Sequence, residues 1–316
     1  MLTTGGGDVW AGTAANTEGR LARSTTICAP NLADVVERRV ACRRDSRPRC
    51  PDPNRRVWYQ TVTRLRIIGV PVDVMRFDEA VGTVLGWMAD RTSRTAHFCN
   101  VHLTVSANDS RNLLETLESG NLNATDGMPL VWMARRLGAH GERVSGPDLM
   151  LAVMDRSRAL GARHYLYGGG AGVAEKLGRR LAADLPGLQV VGALSPPFRP
   201  PTADELEVDL ARIQAASPDF VWVGLGAPKQ EYWVEEARGR LRVAGILAVG
   251  AAFDFHSGSK RRAPRWMQRT GTEWLFRLSR EPRRLWRRYA VTNTRFIVLA
   301  TRQLIGSSAG IDSEPD

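Results

Sequence analysis

The 316-residue chain has no uncharged apolar run approaching the ~18 residues that a membrane-spanning helix needs. Its first residues, MLTTGGGDVWAGTAANTEG, lack the basic start and apolar core of a secretory signal. Neither membrane spanning nor secretion is expected on this reading. Cysteine is scarce: Cys28, Cys42 and Cys50 lie in the first fifty residues with no metal-site spacing, and Cys99 sits in an apolar run. That pattern predicts a reduced, cytoplasmic protein without a disulfide framework. No Asp-x-Asp pair or cluster of His, Asp and Glu marks a metal site, so neither a metal nor a cofactor is expected.

Acidic side chains are nearly missing from one stretch. Residues 258–302 contain only Glu273 and Glu281 against 13 Lys and Arg, so this segment alone matches the +11 net charge of the chain. Residues 64–257, with 21 basic and 22 acidic side chains, are almost neutral. Such concentration calls for a local anionic partner: a phosphate, an anionic membrane surface or nucleic acid.

Residues 1–63, with clusters such as SRPRCPDPNRR, show little apolar periodicity and are expected to form a poorly ordered extension. Folded structure is expected from RLRIIGVPVDV, with a strand at Leu65–Val70. Short β-branched or aromatic runs then alternate with amphipathic stretches. The predicted strands include 95–100, NLNAT, HYLYG, LQVVGAL, DFVWVGLG and GILAVGAAFDF. Helices are predicted in FDEAVGTVLGWMADR, in one region through Leu117, after Pro129, over Pro147–Leu160, and in AEKLGRRLAADL and ADELEVDLARIQAA. This order predicts an α/β domain over 64–257, with a mostly parallel Rossmann-like sheet covered by helices. Ligands of such sheets bind at the carboxyl ends of the strands. The Trp- and Arg-rich segment 258–302 is expected to be a basic helical appendage, and 303–316 a flexible tail.

Several stretches place chemistry at those strand ends. In YGGGAGV, Gly168, Gly169 and Gly170 bring a strand into a helix start, where backbone amides suit a diphosphate; a plain tight turn is the bland alternative. GLGAPKQEYW puts Gly224, Gly226, Pro228, Lys229, Gln230 and Glu231 at a second such junction. Arg143 in GERVSGPDLM can grip a phosphate or carboxylate, or simply be solvated. Asn100 can cap a helix, and His102 can act in acid–base chemistry or be structural. Asp126 and Gly127 make a common turn pair, yet a carboxylate at a strand's end can also take a proton from a hydroxyl nucleophile.

Taken in order, ATDGMPLVWMARRLG, GERVSGPDLM, YGGGAGV, VGLGAPKQEYW, GAAFDFHSG and KRRAPRWMQRTGTEWLFRLSREPRRLWRRY resemble the WecG/TagA/CpsF glycosyltransferases over roughly residues 64–292. The resemblance implies metal-independent, inverting transfer of a sugar (N-acetylmannosamine, glucose or uronic-acid type) from a UDP-sugar to a polyprenyl-diphosphate-linked acceptor. Such transfer serves cell-surface polysaccharide synthesis. It further implies that Asp126 is the general base and that Gln230 stands near the transferred sugar. An appendage closing at the membrane would bring arginines to the diphosphate, with Arg262, Arg277, Arg283, Arg284 and Arg287 as candidates. The protein is then expected to sit peripherally on the inner face of the cell membrane, with homo-oligomer formation left open. One position departs from the family: Phe98 stands where a threonine is frequent, which bears on the choice of sugar. Two other classes compete. A nucleotide-cofactor oxidoreductase would use GGGAG as its dinucleotide loop, but that loop comes about a hundred residues into the α/β domain and no acidic residue sits at the end of LQVVGAL to hold a ribose. A nucleic-acid-binding module would use the basic segment; nucleic acid is not the expected partner.

Overall fold

The computed structural model describes residues 62–308 with the exception of residue 198. The expected N-terminal extension, apart from its last two residues, lies outside the described residues, as do Cys28, Cys42, Cys50 and residues 309–316. Among the described residues eight strands form one sheet: β1 Thr63–Ile67, β2 Val70–Val74, β3 Arg94–Cys99, β4 Leu122–Thr125, β5 Arg163–Gly168, β6 Gln189–Leu194, β7 Phe220–Gly224 and β8 Gly245–Ala248. Their order is β1-β2-β4-β3-β8-β7-β5-β6, and only the β1–β2 pair is antiparallel. Strands such as FVWVG and GILA read as continuous apolar runs because both faces of a parallel sheet are covered.

The stretch read as one strand from Leu65 is a hairpin instead. Ile68 (φ 52°) and Gly69 (φ 77°) turn the chain back, the paired left-handed geometry that joins two strands through a two-residue loop. Asp73, 1% exposed, holds Arg64 through two 2.7 Å bonds and also accepts the Asn123 backbone N–H at 2.7 Å. That carboxylate ties the hairpin to the parallel sheet where the ladder itself is thin.

On one face the apolar core lies against α1 (Phe77–Gly86), and the helical region expected through Leu117 divides into α2 (Val101–Asp109) and α3 (Arg111–Ser119). The division falls at Ser110, whose side chain accepts the Leu113 N–H and starts a new helix. Next come α4 (Met128–Arg136), α5 (Gly146–Ser157), α6 (Val173–Asp184), α7 (Ala203–Ala215) and α8 (Lys229–Ala237). Helices α1, α5 and α6 cover one apolar cluster, α7 and α8 a second, and α2 to α4 a third beside the hairpin.

The end of the stretch GILAVGAAFDF is not strand but a short helix, α9 (Ala252–His256), which leads through a loop into the basic segment; that segment is helical, with α10 (Arg265–Arg269), α11 (Glu273–Arg280) and the long α12 (Pro282–Ser308). Phe296 and Ala300 of α12 enter the third cluster, and Arg295 pairs with Asp109 at the end of α2. Helix α12 continues six residues into the segment expected as a tail. Gln303 explains this extension: its side chain accepts the Ile68 N–H and donates to the Arg66 carbonyl, both at 2.7 Å, and so anchors the helix on the hairpin turn. Among the described residues no helix is long and apolar enough to cross a membrane.

Candidate active site

The chain leaves β3 toward β4 on one side, while β7 and β8 approach β3 from the other. Loops after β3, β4, β5, β7 and β8 therefore open along one edge of the sheet, where ligands of doubly wound folds bind. Two chambers occupy this edge. The larger, about 970 Å³, runs from Asn100 and Asp126 past Gly169, Gly170, Gly224 and Gly226 to a proline-rich wall at Pro196–Pro201. The smaller, about 660 Å³, lies between α4 and α12 and is mostly apolar, with Met128, Trp132, Trp274, Tyr289, Phe296 and Leu304. Asn100, Asp126, Arg143, Glu273, Arg277 and Arg288 line both.

Asp126 is fixed from behind: its N–H donates to the Cys99 carbonyl at 2.8 Å at the end of β3. The following loop is stitched along β4 by Val144 N–H to the Thr125 carbonyl (2.8 Å) and Thr125 Oγ1 to the Glu142 carbonyl (2.9 Å). Those bonds deliver Arg143 to Asp126. Its Nε donates to the Asp126 carbonyl and its Nη2 to Asp126 Oδ1, both at 3.3 Å, while Nη2 also donates to Glu273 Oε2 at 2.9 Å. Burial above all pushes the Asp126 carboxyl up to about 7; Arg143 opposes the rise and Glu273 adds to it. A carboxylate that titrates near neutrality is matched to accepting a hydroxyl proton.

The expected residues separate into those on the chamber walls and those beneath them. Asn100 caps α2, its Oδ1 accepting the Leu103 N–H at 3.1 Å, and still lines both chambers. His102 and Gly127 line the smaller one. Burial, then Arg288 and Arg277, lowers the His102 imidazole to about 4, so it is neutral at pH 7 and no source of protons. Pro228, Lys229 and Gln230 line the larger chamber. Gln230 is only 5% exposed and its amide is fully engaged: Oε1 accepts the Gly226 N–H, and Nε2 donates to the Ala248 carbonyl and to Glu231 Oε1. It braces the ends of β7 and β8 against each other. Glu231 is buried behind it, its carboxyl pushed up to about 7 by burial.

Gly168 is off the walls as well. Its φ of 128° and the 2.6 Å approach of any Cβ to the Gly224 backbone make it the point where β5 and β7 ends touch. The glycine loop offers fewer free amides than its sequence suggests, because Gly169 N–H donates to the Gly224 carbonyl and Ala174 N–H to Ser195 Oγ.

Among the candidate arginines, Arg277 lines both chambers and Arg284 the larger. Arg262 is instead spent on Asp148 through bonds of 2.6 and 2.7 Å and on Ser145, the cap of α5. Arg283 and Arg287 are off both walls, and Arg287 lies over the exposed Trp286 ring at 5.4 Å. Sequence reasoning missed Arg288. Among the described residues its Nε is buried without a hydrogen-bond partner, and burial, with Arg277 and Arg284 nearby, lowers the guanidinium below its ordinary value. A desolvated, crowded cation of this kind favours an anion. The available signal was spacing, since Arg284 and Arg288 are four apart and share a helix face. Lys260, paired with Asp254 and Glu281, completes the cationic rim. Phe98 fills the floor beside Gly146, where a Cβ would meet Val249 and Phe98 at 3.2–3.3 Å. Among the described residues no three His, Cys, Asp or Glu side chains converge as a metal site.

A protein from Bacillus spizizenii named N-acetylglucosaminyldiphosphoundecaprenol N-acetyl-beta-D-mannosaminyltransferase is 31% identical over 173 residues. The match takes in 54% of this chain and spans 65% of that relative's length. The sequence model of the family described as "Glycosyl transferase WecG/TagA/CpsF family" matches residues 65–310, which include every wall residue described above. On that match, the chain belongs to the WecG/TagA/CpsF family of glycosyltransferases.

Proposed function

We propose that this protein is an inverting, metal-independent glycosyltransferase. The larger chamber takes a UDP-sugar, and the smaller takes the sugar end and first isoprene units of a polyprenyl-diphosphate-linked acceptor. One observation carries the reading: Asp126 stands on the wall that the two chambers share. From there it takes the proton of the acceptor hydroxyl, whose oxygen bonds to the anomeric carbon as the bond to the UDP oxygen breaks and UDP leaves with the electron pair. Arg277, Arg284 and Arg288 supply the counter-charge for that leaving diphosphate. The apolar wall of the smaller chamber suits isoprene.

The Bacillus relative is named for mannosaminyl transfer to a diphosphoundecaprenol-linked N-acetylglucosamine. We take the same acceptor class here and an N-acetylmannosamine-type donor as the first to test. Trp266 and Trp286 are 64% and 53% exposed, and Arg283 and Arg287 flank Trp286 on α12, exposed and off both chamber walls. Aromatics beside arginines suit an anionic bilayer surface, which supports a peripheral position on the inner face of the membrane.

The test incubates the full chain and Asp126→Asn with a panel of UDP-sugars and short-chain polyprenyl-diphosphate N-acetylglucosamine, reading product by mass and UDP affinity by calorimetry. The expected result is product from the parent chain only, with UDP affinity equal within about twofold, as for loss of a group used in the transition state. Near-normal turnover by the Asn variant, or binding of NAD(P) with none of UDP, overturns the reading.

A further inference from the structure

The basic appendage contributes one carboxylate to the catalytic centre, and its position is unexpected among so many arginines. Of the two acidic residues in 258–302, Glu281 is taken by Lys260 and Arg284. Glu273, in the first turn of α11, pairs with Arg143 instead, at 2.9 Å. The same Nη2 reaches Asp126 at 3.3 Å, so the nearer partner of the guanidinium is the appendage carboxylate. Gln268 of α10 faces Arg143 Nη1 at 3.5 Å. All three charged side chains are 17–20% exposed, so the contacts are shielded from most solvent screening. Arg262, also near Asp126, is held by Asp148, which leaves Arg143, among the described residues, as the cation in contact with the base.

A carboxylate paired with arginine alone is stabilised as the anion, typically by ~1–3 pH units in its titration, and becomes a weak base. Sharing the guanidinium with a second carboxylate removes much of that stabilisation. We infer that Glu273 is a positioning residue for transfer: it holds Arg143 away from a closed ion pair with Asp126, so that docking of the appendage is what makes the base competent. This inference rests on the reading of Asp126 as the base. Without α11 in place, Arg143 closes on Asp126 and the chamber contains a neutralised pair. The appendage would thus bring the arginines that hold the leaving group and release the base in one movement, confining turnover to the docked state.

The direction is supported by the charges around Asp126, where Glu273 and Asp148 raise its proton affinity and Arg143 and Arg262 lower it. Arg277, Arg288 and neutral His102 face the same chamber from α11, α12 and α2.

The test uses the full chain with Glu273→Gln, which keeps the shape and an acceptor for Arg143 but removes the charge, and Glu273→Asp, which keeps the charge. In Glu273→Gln the acidic limb of kcat/KM is expected to move down by about one pH unit and the plateau to fall about tenfold, following the lowered basicity of Asp126. Affinity for UDP by calorimetry should stay within about twofold, and Glu273→Asp should return the limb toward its original position. A limb that stays in place in Glu273→Gln, or a UDP affinity that falls in step with the rate, overturns the inference and leaves Glu273 a docking contact. A direct measurement is independent of turnover: infrared titration of the carboxyl band that disappears in Asp126→Asn. Its midpoint should fall in the Glu273→Gln background, and an unmoved midpoint overturns the inference. If no variant, nor the parent chain, makes product from any donor, the transferase reading fails while the infrared titration still decides the role of Glu273.

Discussion

Replacing Asp126 by Asn should make the protein more stable while removing its activity, and the gain should depend on pH. In the folded chain the Asp126 carboxyl is pushed from an ordinary 3.8 up to about 7, mainly by burial. At ~1.4 kcal/mol per pH unit, that rise corresponds to about 4 kcal/mol. The side chain keeps 18% of its exposure and Arg143 can adjust, so about 2–4 kcal/mol is the fair range. The sign follows from linkage. Below about pH 4 the group is protonated both folded and unfolded and imposes no penalty. Between about pH 4 and 7 the unfolded chain releases its proton while the folded chain retains it, so the parent loses stability as pH rises. Above about pH 7 both are ionised and the full penalty stands. Asn keeps an acceptor for Arg143 and cannot ionise. Thermal melts from pH 4.5 to 8.5 should therefore show the Asn variant gaining steadily over the parent up to about pH 7, then holding a lead of roughly 5–10 °C. A difference that is flat across that range would refute the argument that burial holds this carboxylate at high proton affinity. Loss of stability in exchange for a poised group is the usual trade at active sites.

Other outcomes follow from the same geometry. Arg288→Ala should weaken UDP binding by roughly 10- to 100-fold, the value of a charge-assisted bond, whereas Arg287→Ala on the outer face should change it less than about twofold. Isothermal titration compares them, and equal effects would contradict the assigned faces. Gly168→Ala forces a side chain into φ 128° and against the Gly224 backbone, so a loss of about 3 kcal/mol or more is expected in denaturant melts.

Much of this molecule was legible because single local rules were enough. The alternation of apolar runs and amphipathic stretches specifies a parallel sheet with covered faces, and Pro147 behind Ser145 marks the start of α5. The hairpin was hidden because Ile68 occupies a left-handed turn position that sequence normally signals with Asn or Gly. Ser110 divides one helical pattern into two by a single side-chain bond, a feature that periodicity averages over.

The sequence by itself determined the class of fold, the strand-end positions of Asp126 and the glycine loops, and the concentration of positive charge after residue 257. Backbone periodicity and charge count are local properties, so they survive being read one segment at a time. Only the tertiary structure decided which of two equally spaced arginine pairs faces inward: 284 and 288 line the chamber, while 283 and 287 lie off both walls. It also moved Gly168, Glu231 and Arg262 from the list of ligand contacts to the frame beneath, and brought Glu273 across 130 residues of chain to Arg143. Those assignments depend on how α11 and α12 dock against the sheet edge. Spacing tells which residues share a helix face, but only packing decides which face is buried.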